Sequence, residues 1–365
     1  MKTKYWVALS SIEQLDSEFI ITLYNHFGDI EAAYKSSVSE FSKIEGLSKK
    51  KVGIFTLLRE KLDVDKVFNY VIDKGIKVIT YEDENYPYLL KQISSPPAVI
   101  YYKGDLSLCN FEKTLAVVGS RRMSRHAQDA LKKIISGLAN TDLCIVSGLA
   151  SGVDSLAHKL ALENGLKTIG VIGGGLDNLY PASNKALFEE IVNGNGIVMT
   201  ELYPTFEPLP FRFPQRNRIV SGLSYGTLVV EAALKSGALI TANLTLEQGR
   251  ELMCIPGLIT NPNTEGIYKM IKTGAHIITE SEDVLNALGW TLNRQISLFE
   301  GKDLADTNLS EDDIKIMKSL EIEPKSFDEI QTETGIDTEN LLTFLTILEL
   351  NGLIEQTSGD RYKKL

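Results

Sequence analysis

Cysteine is scarce in this chain: Cys109, Cys144 and Cys254 are the only three in 365 residues, and they are not clustered. An odd, scattered set excludes a disulfide framework and a cysteine zinc site, and it fits a reducing cytoplasm. The four histidines, His26, His126, His158 and His276, are equally dispersed, so no metal site and no cofactor is expected. His158, on the helix predicted after SGVD, reads as a packing or hydrogen-bonding residue. No apolar run approaches the roughly 20 residues of a membrane span, and MKTKYWVALSSIEQLDSE has no apolar stretch of signal-peptide length. The fingerprint GxGxxG is missing, which removes a dinucleotide from the expected ligands. Positive charge is in deficit: 38 Lys+Arg stand against 48 Asp+Glu, a formal net charge of -10.

What is present is an ordinary soluble composition, 43% hydrophobic and 24% charged, in a chain long enough for two or three domains. Against the acidic background, residues 211–224, FRFPQRNRIVSGLS, reverse the local sign. Arg212, Arg216 and Arg218 lie within seven residues that contain no acid. Arginine presents a planar fork of donors suited to phosphate. Any one of the three could instead pair with a buried carboxylate, but the cluster points to an anion. Strand alternation would bury at least one of Phe211 and Phe213.

Three strand-to-helix turns extend this chemistry. LAVVGSRR at 115–122 reads as a buried strand ending in Gly119, Ser120 and Arg121, followed by a helical pattern. CIVSGLASGVD at 144–154 and TIGVIGGG at 168–175 repeat the design. Ligands of open α/β sheets bind at such carboxyl ends, and helix amino termini favour anions. Together the turns predict a phosphate-lined crevice.

The chain divides into four stretches. Residues 1–80 read as a small helical domain. Its turn at Gly46, followed by Lys49, Lys50 and Lys51, resembles the helix-hairpin-helix of sequence-independent DNA binders and reads equally as a solvated lysine turn. Residues 81–288 form an α/β core, with an edge extension at 81–111. Strands are predicted at 115–118, 143–147, 168–172, 197–200, 226–230, 252–255 and 275–278; alternation with helices makes the sheet mainly parallel. A linker follows at 289–306. Residues 307–365 have a winged-helix layout, but from Asp303 onward 15 acids face 6 bases. That charge favours a protein contact over DNA.

In this order, LAVVGSRR, VSGLASGVDSLAHKLAL, GVIGGGLDNLYPASNKAL, FPQRNRIVSGLS and VVEAALKSGALITA resemble the DNA-processing protein A (Smf) family. The resemblance covers 77–288, and the flanking layouts match the family's fuller architecture. It implies an extended Rossmann-like core and a homodimer without catalytic activity. It also implies a cytoplasmic protein that binds and protects incoming single-stranded DNA during natural transformation and loads the RecA recombinase on it. Carried over by motif, the DNA-binding positions are Gly119, Ser120, Arg121, Asn184, Lys185, Arg216, Asn217 and Arg218, with Arg212 and Ser221 completing the set. Where many members have Lys, this chain has Ala182 and Pro210; Arg212 is expected to compensate. Leu234, Met270 and Ile271 fall near the family's dimer contact.

Single-strand binding needs cations for the backbone and flat faces for bases. Arg121, Lys185, Arg212, Arg216 and Arg218 are the cations; Tyr180, Phe211 and Phe213 are candidate platforms, each also a candidate for core packing. About five neutralised phosphates predict a slope of log K against log salt near -3.5. Two other readings compete. YGTLVVE at 225–231 resembles a segment of the lysine-decarboxylase-like (LOG) nucleotide phosphoribohydrolases, with Glu231 at the catalytic position, but Ser224 and Tyr225 replace the double glycine. Glu231 then reads as an acid that pairs an arginine or caps a neighbouring element. The third reading is a nucleotide-binding scaffold.

Overall fold

In the computed structural model, residues 2–109, 111–139, 141–290, 311–320, 324–350, 353–357 and 361–364 are described. The chain separates into two compact units, Met1–Leu292 and Asn293–Leu365. Of the linker expected at 289–306, residues 291–306 lie outside the described residues.

The first unit is built on one sheet. Its strands are β1 (Lys77–Thr80), β2 (Val99–Gly104), β3 (Thr114–Val118), β4 (Cys144–Ser147), β5 (Lys167–Val171), β6 (Gly196–Thr200), β7 (Gly226–Val229), β8 (Glu251–Cys254) and β9 (His276–Ile277). Their order is β1-β2-β6-β5-β4-β3-β7-β8-β9. From β6 across to β9 all neighbours run parallel. β2 joins β6 antiparallel and β1 joins β2 antiparallel, which is the expected edge extension. β3, β4 and β7 are buried along their whole length. Such strands read as unbroken apolar runs because helices cover both faces of a parallel sheet.

One face packs Leu115, Val117 and Ile145 against Leu131 and Ile135 of helix Arg125–Gly137 and Leu160 of helix Val153–Glu163. The other packs Ala116 and Val229 against Ile219 and Val220 of helix Arg212–Gly222 and Ala242 of helix Gly237–Glu247. From β3 the chain winds to β4 on one side, and from β7 to β8 on the other. The β3–β7 boundary is therefore the topological switch point, where such sheets open a crevice.

The amino-terminal helices, among them Thr3–Ser10, Ser17–Phe27, Lys49–Arg59 and Val64–Asp73, share a core with the sheet edge. Trp6 is fully buried there, and its Nε1 donates to Glu82 at 2.9 Å. Ser10 Oγ and the Tyr101 hydroxyl of β2 are 2.5 Å apart. Gly46 lies in the turn before helix Lys49–Arg59, which Ser48 caps. Lys51 is held by Asp16, while Lys49 and Lys50 are exposed.

One expectation is overturned. Residues 212–222 form a helix, not an alternating strand. Arg212, Arg216, Ile219, Val220 and Ser221 are its buried side chains, a helical spacing in which two members are arginines. Pro214 sits in the first turn, where a missing N–H costs nothing. Alternation therefore does not govern Phe211 and Phe213: Phe211 is exposed and Phe213 is half-buried.

The second unit is a winged helix. Helices Glu311–Ser319, Phe327–Thr334 and Thr338–Leu350 pack Ile316, Ile330, Leu341 and Leu345 into one core. Strands Ile354–Thr357 and Arg361–Lys364 form the wing, and the short strand Lys325–Ser326 adds to it. That short strand has too few residues to leave a periodic signal. Residues 358–360, between the two wing strands in sequence, lie outside the described residues. Two of the wing's cations are engaged by acids: Arg361 meets Glu329 at 2.8 Å and Lys363 meets Glu355 at 2.6 Å.

Candidate functional site

At the switch point the sheet opens into a crevice of about 560 Å³. Its walls come from the turn after β3 (Gly119, Ser120, Arg121), the loop after β4 (Gly148, Ala150, Asp154), Tyr180, the face of helix Arg212–Gly222 bearing Phe213, Arg216 and Asn217, and the start of helix Gly237–Glu247. Arg121 is exposed, with its guanidinium 5.7 Å from the Phe213 ring centroid. Phe213 and Tyr180 stand 5.5 Å apart, tilted by 52°. A cation on an aromatic pair is the arrangement that holds a base beside its phosphate.

Arg216 is held inside the protein. It is 6% exposed and donates to the carbonyls of Gly148 and Val171. Asp154 stands on the other side of Gly148, and its carboxylate accepts from Gly148 N at 3.1 Å and Ala150 N at 3.4 Å. Burial pulls Arg216 down to about 10, with Asp154 opposing the shift. Burial likewise raises Asp154, against the pull of Arg216. A Cβ on residue 148 would lie 2.5 Å from Arg216 Nη1 and 2.6 Å from Asp154 Oδ2, so only glycine fits between these charges.

This changes the reading of the three glycine turns. After β4 the Gly148 and Ala150 amides are occupied by Asp154, not offered to a ligand. Gly152, at φ +82°, allows the β4 loop to approach the β3 turn, because a Cβ there would meet Ser120 O at 2.3 Å. Gly173 and Gly175 make room for Phe213 and for the Tyr203–Pro204 backbone. Their glycines serve packing.

The remaining expected residues separate by side of the same helix. Gly119, Ser120, Arg121, Arg216 and Asn217 line the crevice; Arg212 and Arg218 line a second cleft behind it. Arg212 is 4% exposed, stacks over Phe206 and Phe211, and is paired with Glu13. It does not compensate for the missing lysines. Arg218 forks onto Glu201 at 2.6 and 2.7 Å. Ser221 is fully buried and bonds back to Asn217 O at 3.2 Å, which puts it out of reach of a strand. Asn184 Nδ2 ties its loop to Leu149 O and Ser155 Oγ, leaving the neighbouring Lys185 exposed at the start of helix Lys185–Asn193.

Sequence reasoning missed Arg122 and Arg125, both exposed beyond Arg121, and Ser236 and Asn263, which complete the crevice wall. The doubled arginine in GSRR was the available signal for Arg122. Nothing local marks Asn263, which the fold brings in from beyond β8.

Glu231 is 1% exposed, and its carboxylate accepts from Ser124 N, the residue that opens helix Arg125–Gly137. His158 Nδ1 lies 2.6 Å from Thr168 Oγ1, and burial lowers its pKa to about 3. Among the described residues no cluster of metal-ligating side chains occurs, and no helix is long and apolar enough to cross a membrane.

Residues 77–289 match the family described as DNA recombination-mediator protein A, and residues 300–360 match the DprA winged helix domain. The chain is 45% identical over 203 residues to the DNA processing protein DprA of Streptococcus pneumoniae, covering 56% of this chain and 71% of that one. It is 32% identical over 368 residues to the protein Smf of Escherichia coli, covering 98% and 94%. The X-ray structure of the S. pneumoniae protein superposes with a TM-score of 0.69 at 34% identity, over 78% of this chain and 97% of that one. DNA processing protein A of Helicobacter pylori, studied for its single-stranded DNA binding mode, gives 0.53 at 29% identity, over 58% and 95%.

Proposed function

We propose that this chain, which belongs to the DNA recombination-mediator protein A family, binds single-stranded DNA in the crevice at the β3–β7 switch point. The observation that carries the reading is the exposed Arg121 on the Phe213–Tyr180 pair. The backbone is followed by Arg121, Lys185 and the exposed Arg122 and Arg125; Arg212, Arg216 and Arg218 hold the walls. Two to four phosphate contacts, at about 0.7 each, give a salt slope between about -1.4 and -2.8. Fluorescence anisotropy with a labelled 20-nucleotide oligothymidylate and with the corresponding duplex tests this. Equal affinity for the two would end the single-strand reading.

In this reading the protein is not an enzyme. It acts in the cytoplasm, protecting strands taken up in transformation and passing them to the RecA recombinase. Glu231, the one residue in a position resembling a catalytic acid, has its carboxylate committed to Ser124 N. Release of free base from nucleoside monophosphates would restore the enzyme alternative.

The assembly is a homodimer. Leu234 is 53% exposed, whereas Met270 is buried in the monomer core and Ile271 packs against it. Leu234 is therefore the residue of the three that can face a second copy. Leu234→Glu is expected to shift the protein from dimer to monomer by light scattering, with unchanged circular dichroism. A wild type that is monomeric at micromolar concentration would count decisively against it.

The winged helix contacts protein. With 15 acids to 6 bases from Asp303 onward and Arg361 and Lys363 of its wing paired with acids, it repels a polyanion. Deleting 303–365 is expected to leave single-strand affinity within about threefold or to raise it. A tenfold loss with the first unit still folded would show that the module binds DNA.

A further inference from the structure

The crevice has features that a sequence-tolerant groove for a polymer does not require. Such a groove needs a track of cations and a series of stacking faces. Here the two aromatics converge on one spot, and the walls turn inward around about 560 Å³, a volume within the range of small-molecule sites. Two buried polar atoms in those walls have no hydrogen-bond partner among the described residues: Arg216 Nε and Ser236 Oγ. Ser236 stands at the N-cap position of helix Gly237–Glu247, yet its side chain makes no cap bond. A serine there ordinarily bonds the first-turn amides, so an 11-residue helix opens onto the crevice without a side-chain cap. Buried polar groups are nearly always satisfied, so two orphaned ones in the walls of one crevice call for a partner.

We propose that the crevice holds one free nucleoside 5′-phosphate, which competes with the DNA strand for the same walls. The phosphate lies between Arg121 and the Ser236–Ala238 helix start, where amides and dipole favour an anion. The base lies on the Phe213–Tyr180 pair against Ile240 and Val220, with Asn217 and Asn263 to meet its polar edge. Arg216 Nε and Ser236 Oγ gain the partner they lack. The inference rests on the strand-binding reading of this site and adds its regulation: nucleotide released by strand degradation would weaken strand binding.

Isothermal titration of the full chain with thymidine 5′-monophosphate tests it, with thymidine and inorganic phosphate as separate arms. One site per chain is expected, with each fragment at least tenfold weaker. The monophosphate should displace labelled oligothymidylate with an inhibition constant equal to its calorimetric Kd. Ser236→Ala should weaken it at least threefold at unchanged Tm. Oligothymidylate binding without monophosphate binding overturns this inference and leaves the strand-binding reading intact. Monophosphate binding without competition places it elsewhere and also overturns it. Monophosphate binding with no oligonucleotide binding ends the strand-binding reading, and competition with it.

Discussion

Arg216→Ala is expected to lower the stability of the first unit by about 3–5 kcal/mol, the cost of removing one member of a buried charged group. The arginine supplies donors to Gly148 O and Val171 O and the nearest countercharge to the buried Asp154. Without it two carbonyls lose their donor and a carboxylate is stranded between β4 and helix Arg212–Gly222. Arg216→Lys fails nearly as badly, since an ammonium cannot span two carbonyls with a planar fork. Asp154→Asn in the Arg216→Ala background should recover part of the loss, because the stranded charge is gone. Urea titration followed by circular dichroism measures all three. A loss below about 1 kcal/mol in Arg216→Ala would mean that the residue is not the internal brace described above. Affinity for DNA measured on this variant includes the loss of folded protein, so it is read only after correction for the folded fraction.

The paired reversal Arg121→Glu with Lys185→Glu is expected to lower single-strand affinity at least about a hundredfold while leaving Tm within a few degrees. Both side chains are exposed, so the fold does not depend on their charge. A hydrogen bond to a charged group contributes about 1.5–3 kcal/mol, and two such losses exceed two decades before repulsion is added. The salt slope should become less negative by about 1.4. Anisotropy at several salt concentrations separates the outcomes. Equal loss at low and high salt would point to a damaged pocket; unchanged affinity would remove the crevice as the DNA site.

Local sequence carried most of the fold. The apolar runs at β3, β4, β5 and β7 are legible because a strand buried on both faces tolerates no polar alternation. The glycine turns after them mark where strands end. The β1–β2 extension showed through its flanking strand signals, and the acidic charge of the second unit is plain composition. The short strand Lys325–Ser326 and the crevice residue Asn263 left no such mark.

The arginine cluster shows where that legibility stops. Sequence pointed Arg212, Arg216 and Arg218 to a phosphate or a buried carboxylate, because a guanidinium keeps its charge and its fork wherever it lies. Which partner each takes was decided by tertiary structure. Glu13 reaches Arg212 from 199 residues away, and Val171 O reaches Arg216 from 45 away. The helical period, hidden because two of its buried positions are charged, turns these arginines into the walls. Arg121 alone of the expected arginines keeps its charge at the mouth of the crevice. The reason is geometric: Arg121 sits on an exposed turn at a strand's end, whereas the others lie on a helix packed between two clefts, where burial gives every unpaired donor a cost and every nearby oxygen a use.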